Sequence, residues 1–281
     1  MNGIAFTIEG ASFINSPLGR VDNADADITE QIVNAYEARL GVNTYHEALY
    51  DLVDALRSNN IWDNVHAIYP MLGDTLTKKS LNLVDSDADL LFRANVLIND
   101  DGDGIKGSSP VSETLEYNEY SLSFDTRCFF AFIYGSSSSS GERGITSVCA
   151  GSSSTYRPMS ILKGNTHIKD WTGANSLYSD RGLAPSLLVL NMLTSTFNTK
   201  HYVGGSVLDT CDYSATGGQT NIKVTNVFGG VISGGTTSNL NIDSGVDIKM
   251  YALGTVAADK AAALDNALEA FCVAVKGMSA T

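Results

Sequence analysis

Apolar residues along this chain change their spacing near residue 62. Before it, Ile28, Ile32, Val33, Tyr36 and Leu40 recur at three- and four-residue steps and Gly41 ends the run, which predicts an amphipathic helix. A second stripe, Leu49, Leu52, Val53 and Leu56, falls at i, i+3, i+4 and i+7. Thr44 and Glu47 stand ahead of it with the spacing of a capping box, in which each side chain satisfies a free amide of the first turn. The second helix is therefore expected to start at Thr44 and to stop at Asn59 and Asn60. Residues 1–22 read as an extended arm, with IAFTIEG as a short strand and NSPLG as a turn.

From Trp62 onward short segments rich in Val, Ile, Phe, Tyr and Thr alternate with Gly, Ser and Asn. They are KSLNLV, DLLFRANVLI, YSLSFDT, CFFAFIYG, ITSVCAG, MSILKG, SLLVLNM, KHYVGG, SVLDTC, NIKVTNVFGG and VDIKMYALG. Many short strands divided by turn signals predict a mainly β protein, an antiparallel β-sandwich or jelly roll. YVGGSV reads as a tight hairpin, because Gly204 and Gly205 supply the positive φ such turns require. The serine run 136–140 reads as a flexible hairpin tip or loop. A last helix is expected where Leu264, Leu268, Phe271 and Val275 form one apolar face, with Gly277 as its stop. The expected organisation is an arm over 1–22, a helical segment over 23–66, and a sandwich with its closing helix over 67–281.

Composition narrows the classes. The chain has 281 residues, 43% hydrophobic and 17% charged, enough for one large core or a core with a small accessory unit. A net charge of −13 repels phosphate backbones, so nucleic acid is not expected as a partner. The start, MNGIAFTIEGASF, has neither a basic opening nor a sustained apolar run. No stretch approaches the roughly 20 apolar residues of a membrane span, and synthesis in a cytoplasm is expected. Cys128, Cys149, Cys211 and Cys272 are far apart; they lack zinc spacing and are expected as buried free thiols.

The block LYDLVDALRSNNIWDNVHAIYPMLG, residues 49–73, resembles a segment common in structural proteins of tailed bacteriophages. There a short helix leads into an AIYP-like stretch and then a first strand like SLNLVD. The later strands and the final helix, to about Gly277, follow the same order; the first 45 or so residues are not covered. The resemblance implies a concanavalin-A-like sandwich, related in shape to legume lectins and laminin-G-like modules. It also implies a virion component: a fibre, a spike or a capsid decoration protein. Its partners would be capsid or tail proteins, further copies of itself and a host cell-surface glycan.

LINDDGDGIKG raises the question of a cation. Asn99, Asp101 and Asp103 alternate and Gly104 follows, which is the opening half of a calcium loop. The second half fails, since position 12 would be Pro110, which offers no bidentate carboxylate. A solvated Asp/Gly turn is expected, with a weak site on Asp101 and Asp103 as the alternative. No metal or other cofactor is expected.

The acids and histidines show no catalytic spacing. Glycoside hydrolysis needs two carboxyls facing the bond across about 5–9 Å. Glu113, Glu116 and Glu119 are three apart, so a strand would throw them to opposite faces, and Asp243 and Asp247 show no better pattern. His46, His66, His167 and His201 have no metal-ligand spacing, and His46, at a helix start, is expected to face solvent alone. No catalytic residue is assigned, and the chain is expected not to be an enzyme. Trp171, Tyr156 and Tyr178 lie among Ser, Thr, Asn and Gly, the setting of an aromatic platform for sugars and equally of a core edge. Trp62 is expected as a core anchor beneath the two helices. The leading expectation is a non-enzymatic tailed-phage structural protein that displays a lectin-like sandwich. The alternatives are a glycan-binding adhesion module and a glycan-cleaving enzyme.

Overall fold

The computed structural model describes residues 19–90, 92, 96–100, 102–107, 120–123, 128–137, 142–150, 156–163, 167–171, 176–180, 186–193, 197–213, 221–227 and 246–276, with side chains for 28–90, 92, 96–100, 102–107, 129–135, 200–208, 210 and 247–276. The protein is mainly β and antiparallel, with helices at the two ends of the described chain. Helix α1 spans Gly19–Leu40 and α2 spans His46–Ser58. Strand β1 is Val65–Tyr69, followed by the single turn α3 at Leu76–Lys79. Next come β2 (Val96–Ile98), β3 (Ile105–Gly107), β4 (Tyr120–Ser123), β5 (Cys128–Ser137), β6 (Glu142–Ala150) and β7 (Tyr156–Lys163). Then follow β8 (His167–Trp171), β9 (Ser176–Asp180), β10 (Ser186–Leu193), β11 (Phe197–Val203), β12 (Ser206–Tyr213), β13 (Asn221–Val227) and β14 (Val246–Val256). Helix α4, Ala261–Lys276, closes the described chain.

Among the described residues the strands form two sheets. One has eight strands in the order β12-β11-β10-β5-β14-β3-β2, with β1 also on β14; the other has six, β4-β13-β6-β7-β8-β9. β14 is the keystone of the first. One edge pairs with β5 along Val246–Val256. The other is shared, β3 taking Asp247 and Ile248 and β1 taking the stretch from Tyr251 to Gly254. The sheets meet where β7 lies against β5 and β9 against β12.

Both faces of β5 and β14 are shut away from water. Phe130, Phe132 and Tyr134 of β5, with Met250 and Ala252 of β14, join the cluster formed by Val33, Leu52, Leu56, Leu264 and Leu268 of the helices. The alternate residues Phe129, Ala131, Ile133, Tyr251 and Leu253 are just as buried. That explains why CFFAFIYG and IKMYALG are nearly continuous apolar runs: a strand covered on both faces needs no polar alternation.

Several local expectations change. α1 begins at Gly19, four residues before the expected boundary at 23. The residues of its first turns carry no apolar stripe that would mark a helix in the sequence. The capping box does not form. α2 starts at His46, its N-cap is Tyr45, and no side chain caps it, because residues 43–46 close a turn instead, with the His46 amide donating to the Asn43 carbonyl at 3.3 Å. α2 does stop at Asn59 and Asn60. The Ile61 amide returns to Leu56 O at 2.8 Å and Asn60 to Arg57 O at 2.8 Å, with Asn60 at φ 52°. That is a Schellman ending with asparagine in the left-handed position.

SLNLV is not a strand. It runs beside β1 as irregular chain, and the Asn82 side chain takes the place of a ladder partner, accepting from the Ile68 and Val84 amides at 3.0 Å each. Of the serine run, Ser136 and Ser137 end β5 and the remainder lies outside the described residues; β5 and β6 do not pair as a hairpin, since they belong to different sheets. The Gly204–Gly205 hairpin forms as expected, with φ of 57° and 71°. The expected faces of α4 also hold, with Leu264, Leu268 and Phe271 buried. Residues 1–18 lie outside the described residues.

Candidate functional site

The chain turns at Asn99–Gly104 as expected, the Gly102 amide donating to the Asn99 carbonyl at 3.0 Å with Asp100 exposed beside Lys106, but the same turn is also knotted into the fold. Asp103 pairs with Lys276 at the end of α4 and lies 3.5 Å from Lys249 of β14. Lys249 is also 3.9 Å from Asp247, whose other oxygen accepts from Asn99 Nδ2 at 2.6 Å. Asn99 Nδ2 also donates to the Asp103 carbonyl. Lys79, almost fully buried, donates to Gly102 O at 2.8 Å and to Met71 O at 3.3 Å. Lys276 reaches the same Met71 carbonyl at 3.5 Å, and Met71 itself sits at φ 54°. Ammonium groups thus stand where a cation would stand, and Asp103's oxygens are already occupied. Gly104 serves packing: a Cβ there would lie 2.4 Å from the Ile248 carbonyl oxygen, and φ is 99°. Asp101 lies outside the described residues. Among the described residues no three His, Cys, Asp or Glu side chains converge as a metal site.

A second buried polar group lines α4. Asp265 is fully buried, and its Oδ2 accepts from the Gly205 amide at 2.8 Å, which ties α4 to the β11–β12 hairpin tip. Burial pushes its carboxyl up to about 7, against that hydrogen bond and with help from nearby Glu269. Glu269 is also buried. Two carboxyls four residues apart invite a hydrolytic comparison, but both are closed off from any substrate. Cys272, one turn further, is a buried free thiol that burial holds well above its ordinary range; its Sγ lies 3.1 Å from Met250 Sδ.

The other sequence candidates are dispersed. Trp171 ends β8, Tyr178 lies in β9 and Tyr156 opens β7. Trp171 is in register with Ser176, and Tyr178 with Lys169. Their side chains lie outside the described residues, as do those of Cys128, Cys149, Cys211 and His167, and the whole of Glu113, Glu116 and Asp243; the Glu119 position is likewise outside. His66 is half-buried in β1, and His201 is buried in β11 opposite Asp209 in register. His46 is more than a solvent contact: its ring bonds Glu37 at 2.9 Å and Glu30 at 3.2 Å, strapping α2 to α1. The Glu37 bond is the main reason its pKa is raised.

The open site lies where α2 ends. Asp54, Arg57 and Ser58 come from the last turns of α2, Asn60 from its Schellman ending, and Trp62 and Asp63 from the next turn. Together they line a pocket of about 210 Å³. Trp62 is half-buried and packs against the core as expected of an anchor; it also forms a wall of this pocket. Asp54, Asn60 and Asp63 are exposed. Lys260 donates to the Asn59 and Asn60 carbonyls at 2.8 and 3.3 Å, which holds the ending to the start of α4. The pocket therefore pairs a half-buried aromatic wall with exposed polar groups. Sequence reading missed it because Asp54 and Trp62 are eight residues apart; NNIWDN, with its asparagines beside a tryptophan, was the available signal.

No protein-family model matches the chain, and no curated protein sequence matches it. Solved structures do overlap it. The CBM40 of a Ruminococcus gnavus IT-sialidase aligns over 58% of this chain and 96% of its own, at 16% identity and a TM-score of 0.34. A Trypanosoma rangeli sialidase in complex with sialic acid aligns over 80% of this chain and 39% of its own, at 10% identity and 0.47. A botulinum neurotoxin type C structure, whose cell entry is described as dependent upon two ganglioside molecules, aligns over 70% and 49%, at 14% identity and 0.38. The chain thus spans about half of that toxin structure and less of the trypanosome sialidase. These overlaps are partial and of low identity, so function is argued from the chain's own residues.

Proposed function

We propose that this chain is a non-enzymatic structural protein of a tailed-phage particle, a fibre, spike or capsid decoration, that presents a lectin-like, glycan-contacting surface. The single observation that carries the binding reading is the Trp62 pocket, an aromatic wall beside exposed carboxylates and an asparagine. Flat rings cover the apolar face of a sugar while carboxylates and amides take its hydroxyls. The virion reading rests on the resemblance of residues 49–73. That block is α2, the Trp62 turn and β1, the piece that joins the helices to β14. A pocket on such a mount is pre-organised, so little ordering is needed on contact.

In this reading the two sheets are the halves of a concanavalin-A-like jelly roll. The protein acts in the virion after synthesis in the host cytoplasm, beside capsid or tail proteins and further copies of itself. Symmetric copies would turn weak single contacts into firm attachment. The test is a mass-spectrometric copy count of this chain against the major capsid protein in purified particles, followed by a glycan array on the purified protein. Hundreds of copies indicate a head decoration, and a few to some tens indicate a tail component. Absence from particles would remove the virion reading; a flat array would remove the glycan reading.

A further inference from the structure

Resting on the glycan-binding reading, we infer that the Trp62 pocket takes a single terminal residue of a neutral glycan, bound through hydroxyls donated to Asp54 and Asp63, and that it rejects sialic acid.

Size is the first argument. Sites for drug-sized ligands run to about 300–1,000 Å³; at about 210 Å³ this one suits a single sugar residue. Polarity is the second. The two carboxylates at the mouth are acceptors without hydrogen-bond or ion-pair partners among the described residues, in contrast to Asp103 and Asp247. A carboxylate accepts two hydroxyls of one ring and repels a ligand carboxylate. Of the two cations nearby, Arg57 belongs to the lining, half-buried and engaged within the chain, and Lys260 is held by the Asn59 and Asn60 backbone carbonyls. The pocket also lies at the carboxyl end of α2, the negative end of the helix dipole, which disfavours anions. Trp62 supplies the face on which the ring's C–H groups rest.

The experiment is calorimetric titration of the full chain with methyl glycosides of galactose, glucose and mannose, and with the methyl glycoside of sialic acid. The variants are Asp54→Asn, Asp63→Asn and Trp62→Phe. The two aspartates are exposed, so these variants should fold; Trp62→Phe keeps a ring where alanine would open the core. We expect at least one neutral glycoside to bind and the sialoside not to. Each Asp→Asn change should weaken binding about tenfold, the loss of one charge-assisted hydrogen bond. Sialoside binding that Asp→Asn strengthens and Trp62→Phe weakens would overturn the neutral-sugar inference while leaving a glycan site at this pocket. Neutral binding unchanged in all three variants would move the site elsewhere and also overturn it. No binding by any glycoside would overturn the inference together with the reading beneath it.

Discussion

The 99–104 turn and the rim of the Trp62 pocket are both short, both rich in aspartate and each holds an asparagine, yet their polar groups have opposite fates. In the turn, Asp103 is held by Lys276 and Lys249, and Asn99 bridges Asp103 and Asp247. At the rim, Asp54 and Asp63 face outward, without partners among the described residues, beside a half-buried tryptophan. A polar group satisfied within the chain has little left for a ligand, and one left open at a pocket retains its full capacity. Acidic residues in a loop are therefore poor evidence of binding until their partners are known.

The largest expected effect comes from breaking the satisfied side of this comparison. Asp103→Ala removes the nearest carboxylate from the buried ammoniums of Lys276 and Lys249, whose side chains are 2% and 7% exposed, leaving Lys276 with the Met71 carbonyl and Lys249 with the more distant Asp247. Removing one partner of a buried ion pair costs about 3–5 kcal/mol, to be read from the urea midpoint. Asp54→Asn and Asp63→Asn should each stay within about 0.5 kcal/mol of the parent in the same measurement. Calcium added to the parent should leave its melting temperature unchanged, because lysines already hold Asp103; a rise with calcium would contradict the knot.

Asp265 sharpens the comparison through pH. Its folded pKa of about 7 lies above the unfolded 3.8, so the unfolded chain gives up the proton first. Stability from this group is complete below about pH 4 and is lost as pH rises through about 7, by on the order of 4 kcal/mol. Asp265→Asn should flatten that fall in denaturation midpoints taken between pH 4 and 8. An unchanged fall would show that Asp265 does not titrate in this way.

The smallest effect belongs to His46, bonded like Asp103 but exposed to solvent. Its raised pKa means that its contribution is complete below about pH 6.5 and fades as pH climbs through the folded value. With the ring 38% exposed, His46→Ala should cost under about 1 kcal/mol at pH 6 and less at pH 9. A cost that grows with pH would show that the bonds to Glu37 and Glu30 do not favour the charged ring.

Most strands were legible because strand signals are local. β5, β10 and β14 stand out as apolar runs, and the paired glycines mark the β11–β12 turn. β1 was not legible, because VHAIY is only five residues long and carries no alternation of its own; it is a strand because β14 offers it an edge. β8 and β9 were missed for a similar reason, since KDWTGANSLYSD looks like a polar loop until its ladder is seen. For the site, NNIWDN drew attention to Trp62 but only as an anchor. Its second role appears when the last turns of α2 are placed beside it.

The sequence by itself determined the helical stripes, the mainly β character, the glycine hairpin and the acidic surface. Each follows from neighbours within a few residues, where periodicity and backbone preference act. Tertiary structure alone decided which polar residues are spent and which are open. Asp103 meets Lys276 across 173 positions, and Asn99 meets Asp247 across 148. Such pairings exist only once β14 and α4 have packed, so no local pattern distinguishes the silent aspartate of the turn from the available aspartates beside Trp62.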